Sequence, residues 1–316
     1  MKKLLFTYLL TFVATCIWAQ SESQTEYNFL RLPVSAHAAA LGGENITMAD
    51  DDAQMMFSNP ALLIGVTPQT VTLNYMNYMS GCHFLSASYN MVVREKWNIG
   101  IGAQYINYGS MKQTDAYNTD LGTFSASDLA LSGTLAYELA RNIAGGVSVR
   151  YVYGKIASYS SMAVAVDLGV NWYLPETEWS MSLVAKNLGG QIQAYDNVFE
   201  TMPLDVQFGI SKRLIGSPLR LHATVSDINH PDYKFLNHLS VGADLIFSPQ
   251  FYVAGGYSFR RANEMKLTDT DGNESANGAG LTLGAGLLLE RFKINVAYGK
   301  YHAASSSIIA NIAFTL

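Results

Sequence analysis

Charge is scarce in this chain: Asp, Glu, Lys and Arg make up 14% of its 316 residues, well under the roughly 25% usual for soluble domains. Something other than water faces much of its surface. Cysteine is scarcer still, at two residues. Lys2 and Lys3, the apolar run "LLFTYLLTFVATCIWA" and the small Ala19 read as a secretory signal peptide over 1–19, with the mature chain starting at Gln20. Cleavage there removes Cys16 and leaves Cys82 alone, which excludes an intramolecular disulfide and a small stapled scaffold. A lipoprotein anchored through Cys16 is the alternative, opposed by Thr15 where a smaller residue is wanted.

Long apolar runs are missing too. Past the signal, no stretch reaches the 18 or more apolar residues of a membrane helix, so a mature chain that enters a membrane does so as a closed barrel. Losing Lys2 and Lys3 takes the net charge from -5 to -7, a balance that argues against nucleic acid as a partner.

Signatures of chemistry are absent as well. The six histidines (His37, His83, His222, His230, His238, His302) have neither metal-ligand spacing nor a cysteine partner. No nucleophile elbow or zinc-protease motif occurs, so the chain reads as a non-enzyme without a cofactor. "DTDGNE" imitates the start of a calcium loop through Asp269, Asp271 and Asn273. Position six is Glu274 and the closing position is Gly280, so turn chemistry is the preferred account and calcium the alternative. In "GAGLTLGAG", Gly278, Gly280, Gly284 and Gly286 share the inward parity of one strand. Room for a plug explains them better than a phosphate cradle, which needs a strand-to-helix context.

What the chain does have is alternation. "SMAVAVDLGVNWYL" puts Met162, Val164, Val166, Leu168, Val170, Trp172 and Leu174 on one face, with Ala163, Ala165, Asp167, Gly169, Asn171 and Tyr173 on the other, the two-residue period of a transmembrane strand. The same reading places strands near 70–78, 83–93, 97–109, 128–139, 143–156, 161–174, 179–188, 203–214, 219–228, 237–247, 251–259, 280–290, 292–300 and 306–316. Fourteen is an even number. Every second connection is short ("REK", "ARN", "PETE", "IGSP", "SPQ" and Arg291), while long polar loops are expected at 110–127, 189–202, 229–236 and 260–279. Short turns at one end and long loops at the other describe an outer-membrane barrel with its short end periplasmic. Trp97, Trp172, Trp179, Phe247, Phe251 and Phe292 lie on the apolar parity within three residues of a short turn, where an interfacial aromatic girdle belongs. The last strand alternates through Ile308, Ala310, Ile312, Phe314 and Leu316.

Residues 20–69 do not fit this pattern. Asp50, Asp51 and Asp52 are placed to cap a short helix with the body "AQMMF", and Asn59 to cap a second turn with Pro60 at its first position and Gly65 at its end. A Met- and Leu-bearing helical insert has no place in a lipid-facing wall, so the expected organisation is a hatch over 20–69 inside a barrel over 70–316. The stretch "FLRLPVSAHAAALGGENITMADDDAQMMFSNPALL" (29–63), with "AKNLGG" (185–190), resembles the PorV/PorQ family of type IX secretion outer-membrane proteins, themselves similar to FadL-type fatty-acid transporters. Leu41-Gly42-Gly43 and Asn59-Pro60-Ala61 are closest to PorQ.

The resemblance implies an all-β, fourteen-stranded antiparallel transmembrane barrel in the outer membrane of a Gram-negative, Bacteroidetes-type cell. It implies lipid around the wall and an anchoring role in a cell-surface attachment complex, with PorZ-, PorU- and PorV-like partners, that links secreted proteins to surface lipopolysaccharide. The alternative it carries is a FadL-like transporter of a hydrophobic small molecule. Tyr195, Phe199, Tyr233 and Phe235 are the candidate partner contacts on the loops.

Overall fold

The computed structural model describes residues 25–79, 81–93, 96–268, 274–276, 278–302 and 305–316. Fourteen antiparallel strands close into one barrel. In chain order they are β1 (Thr70–Met79), β2 (Cys82–Val93), β3 (Trp97–Thr114), β4 (Asp120–Ala140), β5 (Ile143–Ile156), β6 (Tyr159–Leu174), β7 (Trp179–Gln193), β8 (Asp205–Arg213), β9 (Leu219–Val225), β10 (Leu239–Ser248), β11 (Phe251–Ser258), β12 (Leu281–Leu288), β13 (Phe292–His302) and β14 (Ser305–Thr315). Each strand pairs with its sequence neighbours, and β1 closes on β14 from Thr70↔Thr315 to Asn77↔Ile308. Closure leaves no edge with unpaired backbone groups, which hydrocarbon would not tolerate.

Alternation sorts the side chains as the sequence requires. Along β6, Ala163, Ala165, Asp167 and Asn171 point inward and are buried, while Val164, Leu168, Val170 and Trp172 are exposed. The outward face of every long strand carries such exposed Leu, Val and Ile. Trp97, Trp172, Phe247, Phe251 and Phe292 ring the short-turn end. A second ring, not anticipated from sequence, lies at the loop end: Tyr75, Tyr105, Tyr151 and Tyr298 all face outward. Trp97 and Tyr105 are eight residues apart on β3, about 26 Å along a strand and roughly 20 Å once tilted, close to the ~25 Å apolar band of such barrels. The architecture is that of an outer-membrane barrel.

Two expected loops are more ordered than polarity suggested. The region 110–127 is mostly an extension of β3 and β4, with Met111↔Phe124 and Gln113↔Gly122 still paired. Its tip is tied by Asp115, which accepts from the backbone N–H of Tyr117 (2.9 Å) and Thr119 (2.8 Å). Ladder hydrogen bonds continue here without an apolar face, so hydropathy gives no sign of them. The connection after β11 contains α1 (Phe259–Glu264), capped by Ser258, and a ribbon pairing Leu267–Thr268 with Glu274–Ser275. Asp269, Asp271 and Asn273, like the signal region 1–19, lie outside the described residues.

The interior is filled by the N-terminal segment. Short helices over Asn28–Arg31, Ala36–Ala40, Ala53–Phe57 and Pro60–Gly65 pack a buried Met and Leu core against the wall. The wall makes room with glycine. A methyl at Gly146 would collide with Pro60, at Gly169 with Asn59, at Gly256 with Leu41 and Gly42, and at Gly284 with Ala40. The plug-room explanation of the "GAGLTLGAG" glycines therefore holds for Gly284 alone. Gly278 and Gly280 instead take positive φ (+74° and +93°) in the turn before β12, and Gly286 faces Tyr252 and Asn295 of the wall.

Gly146→Val and Gly169→Val are expected to displace the Asn59–Pro60 turn and open the hatch to protease, while the barrel still runs at different sizes in SDS before and after boiling. Gly133→Val, with no atom within 4 Å of the added carbon, is the control and should leave the hatch protected. Equal protease sensitivity in all three would refute the fit.

Candidate functional site

The hatch runs the full height of the barrel. It begins at the loop end, where Thr25 bridges Thr201 and the Glu26 N–H donates to the Thr201 carbonyl (3.0 Å), and it ends at the short-turn end where β1 starts. Capping shapes its turns. Ser35 caps Ala36–Ala40, Asp52 caps Ala53–Phe57, and Asn59 caps Pro60–Gly65 with Pro60 at the first position. Asn59 is fully buried and also donates to the Ile46 carbonyl (2.9 Å) and Ser182 Oγ (3.1 Å), so the same side chain ties the turn to β7. Leu41 is buried, and Gly42 and Gly43 turn the backbone with φ of 102° and 91°.

The acid triplet divides its work. Only Asp52 caps; its neighbours bind the wall. Asp50 takes both forks of Arg220 on β9 at 2.6 Å, and Arg220 Nε donates to Asp244 on β10 (2.7 Å). Asp244 is completely buried and also bonds His37 Nε2 of the hatch (2.8 Å) and His222 Nε2 (3.0 Å). Asn45 reaches the other nitrogen of His222 (2.9 Å), and His37 stacks on Tyr252 with centroids 3.9 Å apart. Asp51 pairs with Lys293 of β13 and accepts from the Thr67 N–H (2.8 Å). Burial pushes the Asp50 carboxyl upward, but Arg220 outweighs it and holds Asp50 below the usual carboxylate range.

A second post stands near the loops. Arg31 of the hatch donates to Asp227 (2.9 Å), which also pairs with Arg260 of α1. Arg261 donates to the Gly42 carbonyl and lies over the Tyr301 ring at 4.2 Å. "AKNLGG" serves the wall itself. Asn187 is in the left-handed region (φ 59°) at a register shift between β6 and β7. Its side-chain oxygen accepts from buried Arg150 (2.5 Å), which also pairs with Asp167 (2.7 Å).

Of the four loop aromatics read from sequence, Phe199 and Phe235 are exposed, at 63% and 69%. Tyr195 and Tyr233 are turned inward: Tyr195 hydrogen-bonds Asp128 (3.5 Å), and Tyr233 stacks on His230 and His238 beneath Arg260. Sequence reading missed Tyr117 (91% exposed), Val198 (71%) and Leu236, and it missed the Arg220–Asp244 post altogether. Arg220, His222 and Asp244 occupy inward parity on their strands; charge at inward positions was the available signal.

No protein-family model matches the chain, and no curated protein matches it in sequence. Solved structures do match in shape. The toluene transporter TodX of Pseudomonas putida aligns with a TM-score of 0.59 at 12% identity, over 90% of this chain and 98% of that one. The monoaromatic hydrocarbon channel CymD gives 0.55 at 12% identity, over 90% and 97%. A FadL homologue of Pseudomonas aeruginosa gives 0.49 at 11% identity, over 89% and 97%. At such identities the first two likenesses establish the fold alone: a closed outer-membrane barrel of the shape that TodX and CymD share.

Arg220→Met is expected to weaken hatch docking by about 3 kcal/mol, because it strands Asp244 and Asp50 without their shared cation. Hydrogen exchange should report faster opening of residues 37–52 with the strands still protected; unchanged exchange there would sink the assignment.

A pH dependence of opposite origin is expected higher up. Burial, with a hydrogen bond and repulsion from Glu200, pushes Glu26 up to about 8. A raised carboxyl favours the folded form while protonated, so docking of residues 25–31 should be strongest below about pH 4 and weaken as pH rises through 8. Protection factors of these amides across pH 5–9 measure it, and Glu26→Gln should flatten the profile.

Proposed function

We propose that this chain is an outer-membrane anchor of the PorV/PorQ type, closest to PorQ. It would hold a PorZ-like surface protein, together with PorU- and PorV-like components, where secreted proteins are joined to surface lipopolysaccharide in a Bacteroidetes-type cell. One observation carries the reading: the lumen is filled by a hatch bonded to the wall at two heights. The loop end, meanwhile, presents exposed apolar side chains at Tyr117, Val198, Phe199 and Phe235. Apolar groups held in water above a membrane are a usual mark of a protein contact. The four long connections offer the 20–30 residues that a stable interface of about 800 Å² per side needs.

A second reading, a FadL-like channel for a hydrophobic small molecule, has the comparisons on its side. TodX is described as a toluene transporter and CymD as a monoaromatic hydrocarbon channel. Nothing comparable in those likenesses speaks for a secretion role.

The two readings part on what the hatch and the loops control. Shortening 194–201 and 232–237 to tight turns should release a specific surface protein from mildly solubilised membranes while the barrel stays heat-modifiable. Under the anchor reading, uptake of labelled toluene or a long-chain fatty acid is the same with the native chain, without it, and with Arg220→Met. Uptake that falls on deletion and rises with Arg220→Met, with every surface protein retained after loop shortening, would give the channel reading first place.

A further inference from the structure

Where the hatch meets α1, a cavity of about 360 Å³ opens towards the loop end. Three guanidinium groups line it: Arg31, Arg260 and Arg261. Arg31 and Arg260 share Asp227, and Arg260 also pairs with Glu264 (2.8 Å). Arg261 has no carboxylate partner among the described residues. Among the described residues its charge is met by the Gly42 carbonyl and by Tyr301, through the ring and a side-chain hydrogen bond, and its Nη1 makes no hydrogen bond. Glu44 lines the same cavity, and one of its oxygens is also without a partner.

We propose that this cavity binds the oxyanion head of a small organic molecule, a carboxylate or a phosphate, through the positive charge centred on Arg261. The placement of the charges supports it: Arg31 lies against Asp227 and Asp205 (3.9 Å) and Arg260 against Asp227 and Glu264, whereas Arg261 has no carboxylate beside it among the described residues. Burial and repulsion from Asp205 push the Glu44 carboxyl up, towards the neutral form that donates to an anion instead of repelling it. Arginine is suited to the task because its planar fork matches carboxylate and phosphate oxygens. The volume falls in the range of small-molecule sites, roughly 300–1,000 Å³, larger than a bare ion requires, so an organic body beyond the head has room. Met265 and Tyr301 supply apolar and aromatic wall for that body. The inference is independent of the anchor reading.

The test is calorimetric titration of the intact barrel in uncharged maltoside micelles with hexyl phosphate, hexanoate and, as the uncharged control, hexanol. Hexyl phosphate or hexanoate should bind saturably and at least tenfold more tightly than hexanol, since a charge-assisted hydrogen bond is worth about that much. Arg261→Met should remove the preference. Because Arg261 also holds Gly42, Met265→Trp gives a second arm that fills the cavity from α1, and it should weaken hexyl phosphate at least tenfold while hatch hydrogen exchange stays native. In nanodiscs, competition by phosphatidic acid would assign the head to a lipid, and its absence to a soluble anion. The proposal is overturned if neither anion outbinds hexanol, or if Met265→Trp binds them as the native chain does.

Discussion

The fit of the hatch depends on how closely backbone can approach backbone inside the barrel. Leu41 and Gly42 lie against Gly256, Pro60 against Gly146, and Asn59 against Gly169, at separations that leave no space for a methyl group on the wall. Close packing on this scale admits two discrete outcomes, seated or displaced, because a one-carbon intrusion cannot be absorbed by small shifts. The wall glycines also fix the rotational setting of the hatch, since each meets a different hatch residue.

The polar contacts follow from that seating. A fourteen-stranded barrel has an inner face of Ser, Thr, Asn and charged residues, and removing water from it costs free energy unless each group finds a partner. Asp244 is the clearest instance: completely buried, it is surrounded by Arg220, His222 and His37, the last supplied by the hatch. Its network is complete only with the hatch in place. The Met and Leu core of the hatch supplies the non-directional part of the stability, and ion pairs that do little for net stability select one docked arrangement.

Much of this was legible in the sequence, and the parts that were not share a cause. Strand number, closure and inward parity followed from alternation because one face of each strand meets lipid; β5 has the expected bounds, 143–156. The caps at Asp52 and Asn59 were legible because capping is local. What could not be read were pairings across the lumen. Asp50 and Asp51 look like capping acids until Arg220 and Lys293, some 170 and 240 residues away, are brought beside them. The β3–β4 extension was hidden for a different reason, since its pairing is carried by backbone hydrogen bonds beneath polar side chains. Tyr195 and Tyr233 looked like contact residues because composition does not reveal which way a loop tyrosine turns.

The two posts also bear on whether anything passes the hatch. Sliding the hatch aside as a unit would part Asp50 from Arg220 and His37 from Asp244 near the short turns, and Arg31 from Asp227 near the loops, while Arg220–Asp244 and Arg260–Asp227 stay together on the wall. Each carboxylate left on the wall keeps a cation, so these pairs set the direction of docking while the apolar core of the hatch supplies most of the cost of displacing it. A conduit through the centre would need a ligand or partner that binds the displaced hatch far better than the seated one. Release of the loop post alone is cheaper. It would free residues 25–31 towards the loop face while leaving Asp244, the wall glycines and the barrel closed below. Opening through the full length therefore breaks more contacts than release at the loop end does.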